Sequence, residues 1–108
     1  MQALEIIENV LKNRSPYEKV AYLLSTYKDL KNGIAINENY REVLTIIDKA
    51  LDLIEDDEYI SVIKCLYIEG LTYEKTAEKT GMDKKTVYRQ RRRLIKRLAI
   101  IIYGDRAL

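Results

Sequence analysis

From Gln2 to Asn13 the apolar residues Ala3, Ile6, Ile7, Val10 and Leu11 recur at helical spacing, which predicts a first amphipathic helix. Ser15-Pro16-Tyr17-Glu18 then starts a second: Ser15 can cap, Pro16 fits the first helical position, and Glu18 can complete a capping box. Its inward residues are Val20, Leu23, Leu24, Tyr27 and Leu30, and Lys31-Asn32-Gly33 stops it. Asn37 or Asn39 opens a third helix, with Tyr40, Val43, Leu44, Ile47, Leu51 and Ile54 as its stripe. A fourth is predicted over about Asp57 to Glu69, packing Ile60, Ile63, Leu66 and Tyr67 and ending at Gly70. Thr72 caps a short fifth helix through Lys79, Gly81 breaks it, and Asp83 caps a sixth from Lys84 to about Tyr103. The pattern reads as an all-α helical bundle.

Composition narrows what such a bundle can do. At 47% hydrophobic and 33% charged, the 108 residues can build one core. There is no His, so imidazole activation of a nucleophile and imidazole metal ligation are both excluded. A single Cys, Cys65, excludes an internal disulfide and a thiolate zinc site, and its apolar surroundings make it a small buried hydrophobe. The acidic run Glu55-Asp56-Asp57-Glu58 lacks a second cluster to complete a metal or acid-base site, so Asp56 or Asp57 reads as a helix cap. No enzyme activity and no cofactor are expected. Met1–Leu11 carries no basic segment of a signal peptide, and the longest apolar run, Leu98–Tyr103, is too short to span a bilayer. The expectation is a soluble cytoplasmic protein with no membrane partner.

Charge changes the picture further. Residues 1–54 sum to −1 and residues 55–83 to −5, whereas residues 84–97 carry Lys84, Lys85, Arg89, Arg91, Arg92, Arg93, Lys96 and Arg97 with no acid, a local +8. Such a block is the electrostatic footprint of a nucleic-acid-binding element. Charge alone equally fits a solvated helix face or a site for an acidic protein.

The block falls on the second member of a helix pair joined around Gly81, the pattern of a helix-turn-helix. Ala77 reads as the small residue that lets the second helix approach, Met82 as a hydrophobe under the turn, and Val87 as the return to the core. A helix in the major groove meets base edges with its N-terminal side chains. Lys85, Thr86 and Arg89 are therefore the candidates for base readout. Lys84, Tyr88, Arg92, Arg93 and Lys96 are placed for phosphates, which set affinity without reading sequence. The nine Tyr read mostly as core and interface residues, with only Tyr73 and Tyr88 near this face.

The stretch Tyr67-Ile68-Glu69-Gly70-Leu71-Thr72-Tyr73-Glu74-Lys75-Thr76-Ala77-Glu78, followed by Thr80-Gly81-Met82-Asp83-Lys84-Lys85-Thr86-Val87-Tyr88-Arg89, resembles region 4 of bacterial sigma-70-type factors. It is still more similar to the sigma-region-4-like late-gene activators of phages and prophages of Gram-positive bacteria, the ArpU/RinA type. The resemblance covers about residues 55–98. It implies a helical bundle ending in the helix-turn-helix, with promoter binding that recruits or activates RNA polymerase. The sequence departs from the family at Thr76, where an aliphatic residue is usual, and at Gln90 and Arg91, where one core aliphatic is usual. The inward stripe must then run Val87, Leu94, Leu98 and Ile101, with the stem of Gln90 or Arg91 covering the gap. Nothing resembles the sigma region that melts promoter DNA, so the implied protein is a regulator rather than a complete sigma factor.

The chain divides on this reading into N-terminal helices, 1–54, packed on a DNA-binding region, 55–108. The apolar Leu98–Tyr103 segment either buries itself against the N-terminal helices or forms a homodimer interface. The partners expected are double-stranded DNA, RNA polymerase by resemblance, and a second copy in the dimeric alternative. The competing reading is a protein-interaction module on a helix-turn-helix scaffold, with only non-specific affinity for DNA.

Overall fold

Five helical segments follow one another in the computed structural model, which describes residues 12–33 and 40–104. They are α1 (Pro16–Gly33), α2 (Tyr40–Leu53), α3 (Ile60–Ile63, continued by a π-helical turn over Lys64–Ile68), α4 (Tyr73–Thr80) and α5 (Lys84–Tyr103). No strand occurs among the described residues. The helix predicted over Gln2–Asn13 lies outside them except for Lys12 and Asn13, which form a turn, and the caps Asn37 and Asn39 and the Tyr40 side chain also lie outside.

Local chemistry accounts for most boundaries. Before α1, the Glu18 N–H donates to Ser15 Oγ at 3.1 Å, and the Ser15 hydroxyl donates to Glu18 Oε1 at 3.3 Å. Lys75 N–H donates to Thr72 Oγ1 at 3.1 Å to cap α4, and Thr86 N–H donates to Asp83 Oδ1 at 2.7 Å to cap α5. Between those caps Gly81 takes φ +74°, a left-handed conformation that a side chain would strain.

One apolar cluster joins α1, α2, the start of α3 and the C-terminal half of α5. Val20, Leu23, Leu24 and Tyr27 of α1 meet Val43, Leu44, Ile47, Ala50 and Leu51 of α2. The cluster also holds Ile54, Ile63, and Leu94, Ile95, Leu98, Ala99 and Tyr103 of α5. The core therefore runs across the sequence boundary at residue 54, joining α1 and α2 to α5.

Several expectations need correction in detail. The α-helical turn of α3 begins at Ile60 rather than Asp57, and its buried residues are Val62, Ile63 and Cys65, with Leu66 and Tyr67 only half-buried. The π turn shifts the register: Glu69 N–H donates to the Lys64 carbonyl, five residues back, at 2.9 Å. Asp57 is not a helix cap. Its Oδ1 accepts the Tyr59 N–H at 2.9 Å in the preceding turn, and its larger role is described below.

Candidate nucleic-acid interface

The geometry of the helix pair starts from what α4 buries. Thr76 is fully buried in the pair, whereas Ala77 is half-buried, so the contact expected of Ala77 falls one residue earlier. Thr76 Oγ1 is buried with no hydrogen-bond partner. The polar substitution noted in the sequence thus sits at the packed centre of the motif, opposite a helix whose own inward residue is Val87, also fully buried. Met82 is half-buried beside the turn.

Helical period explains how α5 divides along its length. Residues 84, 85, 88, 89, 92 and 96 fall within an arc of about 140° at ~100° per residue. In the N-terminal half that arc faces out: Lys84, Lys85, Tyr88, Arg89 and Arg92 are exposed, as is Lys96 further along. In the C-terminal half the bundle covers one face of the helix, burying Leu94, Ile95, Leu98, Ala99 and Tyr103. The inward stripe accordingly differs from the predicted one, for Ile101 is 37% exposed and Ile95 takes its place in the core. Ile100 is likewise exposed, and Leu98–Tyr103 is buried on one face rather than all round.

The eight cations of the block are not equivalent. Arg91 lies half-buried, its Nε donating to Tyr67 Oη at 2.5 Å and its Nη1 to Tyr17 Oη at 3.4 Å, so it covers the gap left in the aliphatic stripe. Arg93 and Arg97 both turn to Asp57. Arg93 Nη2 and Nη1 donate to its Oδ1 and Oδ2 at 2.7 and 3.0 Å, and Arg97 Nη1 donates to Oδ2 at 2.9 Å. These bonds, the Arg93 fork foremost, hold the Asp57 carboxyl down at about 2 against burial, which opposes them. Arg93, expected to face phosphate, is instead a tie between the α2–α3 turn and α5.

Five cations remain on the outer face. Lys85, Arg89 and Lys96 make no hydrogen bond or ion pair with the described residues. Lys84 makes an exposed ion pair with Glu74 at 3.3 Å, and Arg92 lies over the Tyr17 ring at 5.9 Å from its centre. Tyr88 is 49% exposed, with the Tyr73 ring 6.2 Å away. Tyr88, Arg89, Arg92, Arg93 and Lys96 border one open depression of about 480 Å³. Thr86 stands apart from its neighbours. It is half-buried, and its N–H donates to Asp83 Oδ1 at 2.7 Å, the main reason that carboxyl lies below the ordinary carboxylate value.

The surface has a basic edge, aromatic rims and no acid on α5 itself, which suits a polyanion. Among the described residues no cluster of carboxylates and Cys is arranged to hold a metal, and no helix is long and apolar enough to cross a membrane. Sequence reasoning missed Asp57, because its partners lie 36 and 40 residues away and nothing local marks it. Compared with protein-family models, curated proteins and solved structures, the chain matches none.

Proposed function

We propose that this chain is a sequence-specific DNA-binding transcriptional regulator of the sigma-region-4-like, phage or prophage type. Its helix α5 enters the major groove, which is about 12 Å wide and admits a helix. The observation that carries the reading is the outward face of α5: Lys85 and Arg89 are exposed in its first turns and make no hydrogen bond or ion pair with the described residues, on the second helix of the pair joined at Gly81. Arg89 suits guanine, because its fork can donate to O6 and N7 together. Lys84, Tyr88, Arg92 and Lys96 flank these two and meet phosphates. Thr86 is half-buried, with its N–H donating to Asp83 Oδ1, and its hydroxyl stands beside Lys85 as a further candidate for readout.

A second reading is favoured by the exposed aliphatic residues Leu53, Ile100 and Ile101. On that reading the protein binds another protein, RNA polymerase or a second copy, and touches DNA only electrostatically.

Selection of binding sites from random double-stranded DNA at near-physiological salt separates the two. The wild type is expected to enrich a motif that a Lys85→Ala/Arg89→Ala variant loses. An inverted repeat in that motif would report a dimer. Absence of any enriched motif, with affinity lost at higher salt for all sequences alike, would leave the protein-interaction reading standing.

A further inference from the structure

Two of the arginines on α5 are neutralised before any ligand arrives. Asp57 is only 7% exposed at its side chain, whereas Arg93 and Arg97 are 45% and 44% exposed. The carboxylate is therefore fixed in the α2–α3 turn, and the guanidinium groups reach it from the surface. Its two oxygens together accept four N–H groups: two from Arg93, one from Arg97 and one from the Tyr59 backbone. Each of the three Arg93 nitrogens donates, because its Nε also donates to Gln90 Oε1 at 2.7 Å, and its guanidinium lies 5.8 Å from the Tyr59 ring centre. Yet the same Arg93 borders the depression shared by Tyr88, Arg89, Arg92 and Lys96. Without Asp57, its fork would sit beside three other cations on the face that meets DNA.

We propose that Asp57 is a specificity-determining residue, an internal counter-anion that keeps Arg93 and Arg97 off the phosphates and so limits sequence-independent binding. The inference rests on the DNA-binding reading above. Each phosphate contact adds affinity for every duplex alike and steepens the salt dependence by about 0.9 in the log–log slope. A complex locked in register by base contacts has fixed phosphate positions, whereas a non-specific complex can shift to use any free cation. Withholding two arginines therefore costs non-specific binding more than specific binding. A bidentate Arg–carboxylate pair suits this task because its geometry is tight.

The test is the salt dependence of binding to a random-sequence duplex, with folding of each variant checked by circular dichroism. Asp57→Asn keeps the shape and the acceptor for Tyr59 N–H but removes the charge. It is expected to bind the random duplex more tightly and to steepen the slope by about 1–2, one increment for each arginine released. Asp57→Glu is expected to restore the wild-type slope, and the triple variant Asp57→Asn/Arg93→Gln/Arg97→Gln to return to it. A wild-type slope in a folded Asp57→Asn protein would overturn the proposal. If Asp57→Asn does not fold, Arg93→Gln/Arg97→Gln decides: an unchanged slope is expected, and a slope shallower by about 2 means both arginines already touch DNA. A wild type that binds no duplex at any salt would instead sink the DNA-binding reading itself.

Discussion

Arg89 occupies the outward face of α5 nearly two turns past the Asp83 cap, with Lys85 about one turn before it. Replacing it with Ala is expected to cost about 1–3 kcal/mol on the best selected site and to relax preference at one base pair. Titration of wild type and variant against single-base substitutions of that site measures both, and an unchanged preference would show that the register of α5 in the groove is different. Thr76 poses the opposite case, a side chain that no ligand reaches. Its hydroxyl is buried without a partner, so Thr76→Val removes an unmet polar group and keeps the β-branched shape. A gain of about 1 kcal/mol is expected, which raises the melting temperature by about 4–8 °C. A lower melting temperature would mean that the hydroxyl has a partner after all. The sequence marked Thr76 as unusual but assigned the close contact to Ala77, because two adjacent small residues on a short helix differ only by its rotation.

At the scale of elements, what was legible was what is local. Ser15, Thr72, Asp83 and Gly81 each act within three residues of their position, and each does what its type implies. The Gly81 turn tests this directly. No heavy atom lies within 4 Å of where a Cβ would stand, so Gly81→Ala meets only the backbone penalty of its positive φ. That penalty is about 1–2 kcal/mol, read as a lower urea midpoint with an unchanged m-value. The tie between the α2–α3 turn and α5 was illegible, since four neighbouring carboxylates look alike until the fold selects Asp57. Its titration has a definite sign. The folded-state value is about 2, below the ordinary 3.8, so its stabilising contribution is complete above the higher value and is lost as pH falls through the lower. Acid unfolding followed by circular dichroism should therefore show the wild type losing its advantage over Asp57→Asn between about pH 4 and pH 2. Parallel curves over that interval would mean that Arg93 and Arg97 do not hold the carboxylate ionised.

For the whole molecule, the decisive observation is that α5 belongs to two places at once. One face of its N-terminal half is open to solvent, and its C-terminal half supplies Leu94, Ile95, Leu98, Ala99 and Tyr103 to the core shared with α1 and α2. The α4–α5 pair and the helices α1 and α2 should thus unfold together, with far-ultraviolet circular dichroism and tyrosine fluorescence giving one midpoint in urea. Two separated transitions would show that the halves are independent. Apolar stripes run along α1, α2 and α5 in the sequence, and the shared core is built largely from their residues. They could not foretell that eight similar cations split into three that hold the fold and five that face outward, since charge in a sequence carries no direction. That split along one rod of about 30 Å separates two kinds of selective pressure. On the proposed function, changes at Lys85 or Arg89 alter which sequence is read while the buried half still folds the protein, so new binding preferences can arise by single steps without passing through unfolded intermediates.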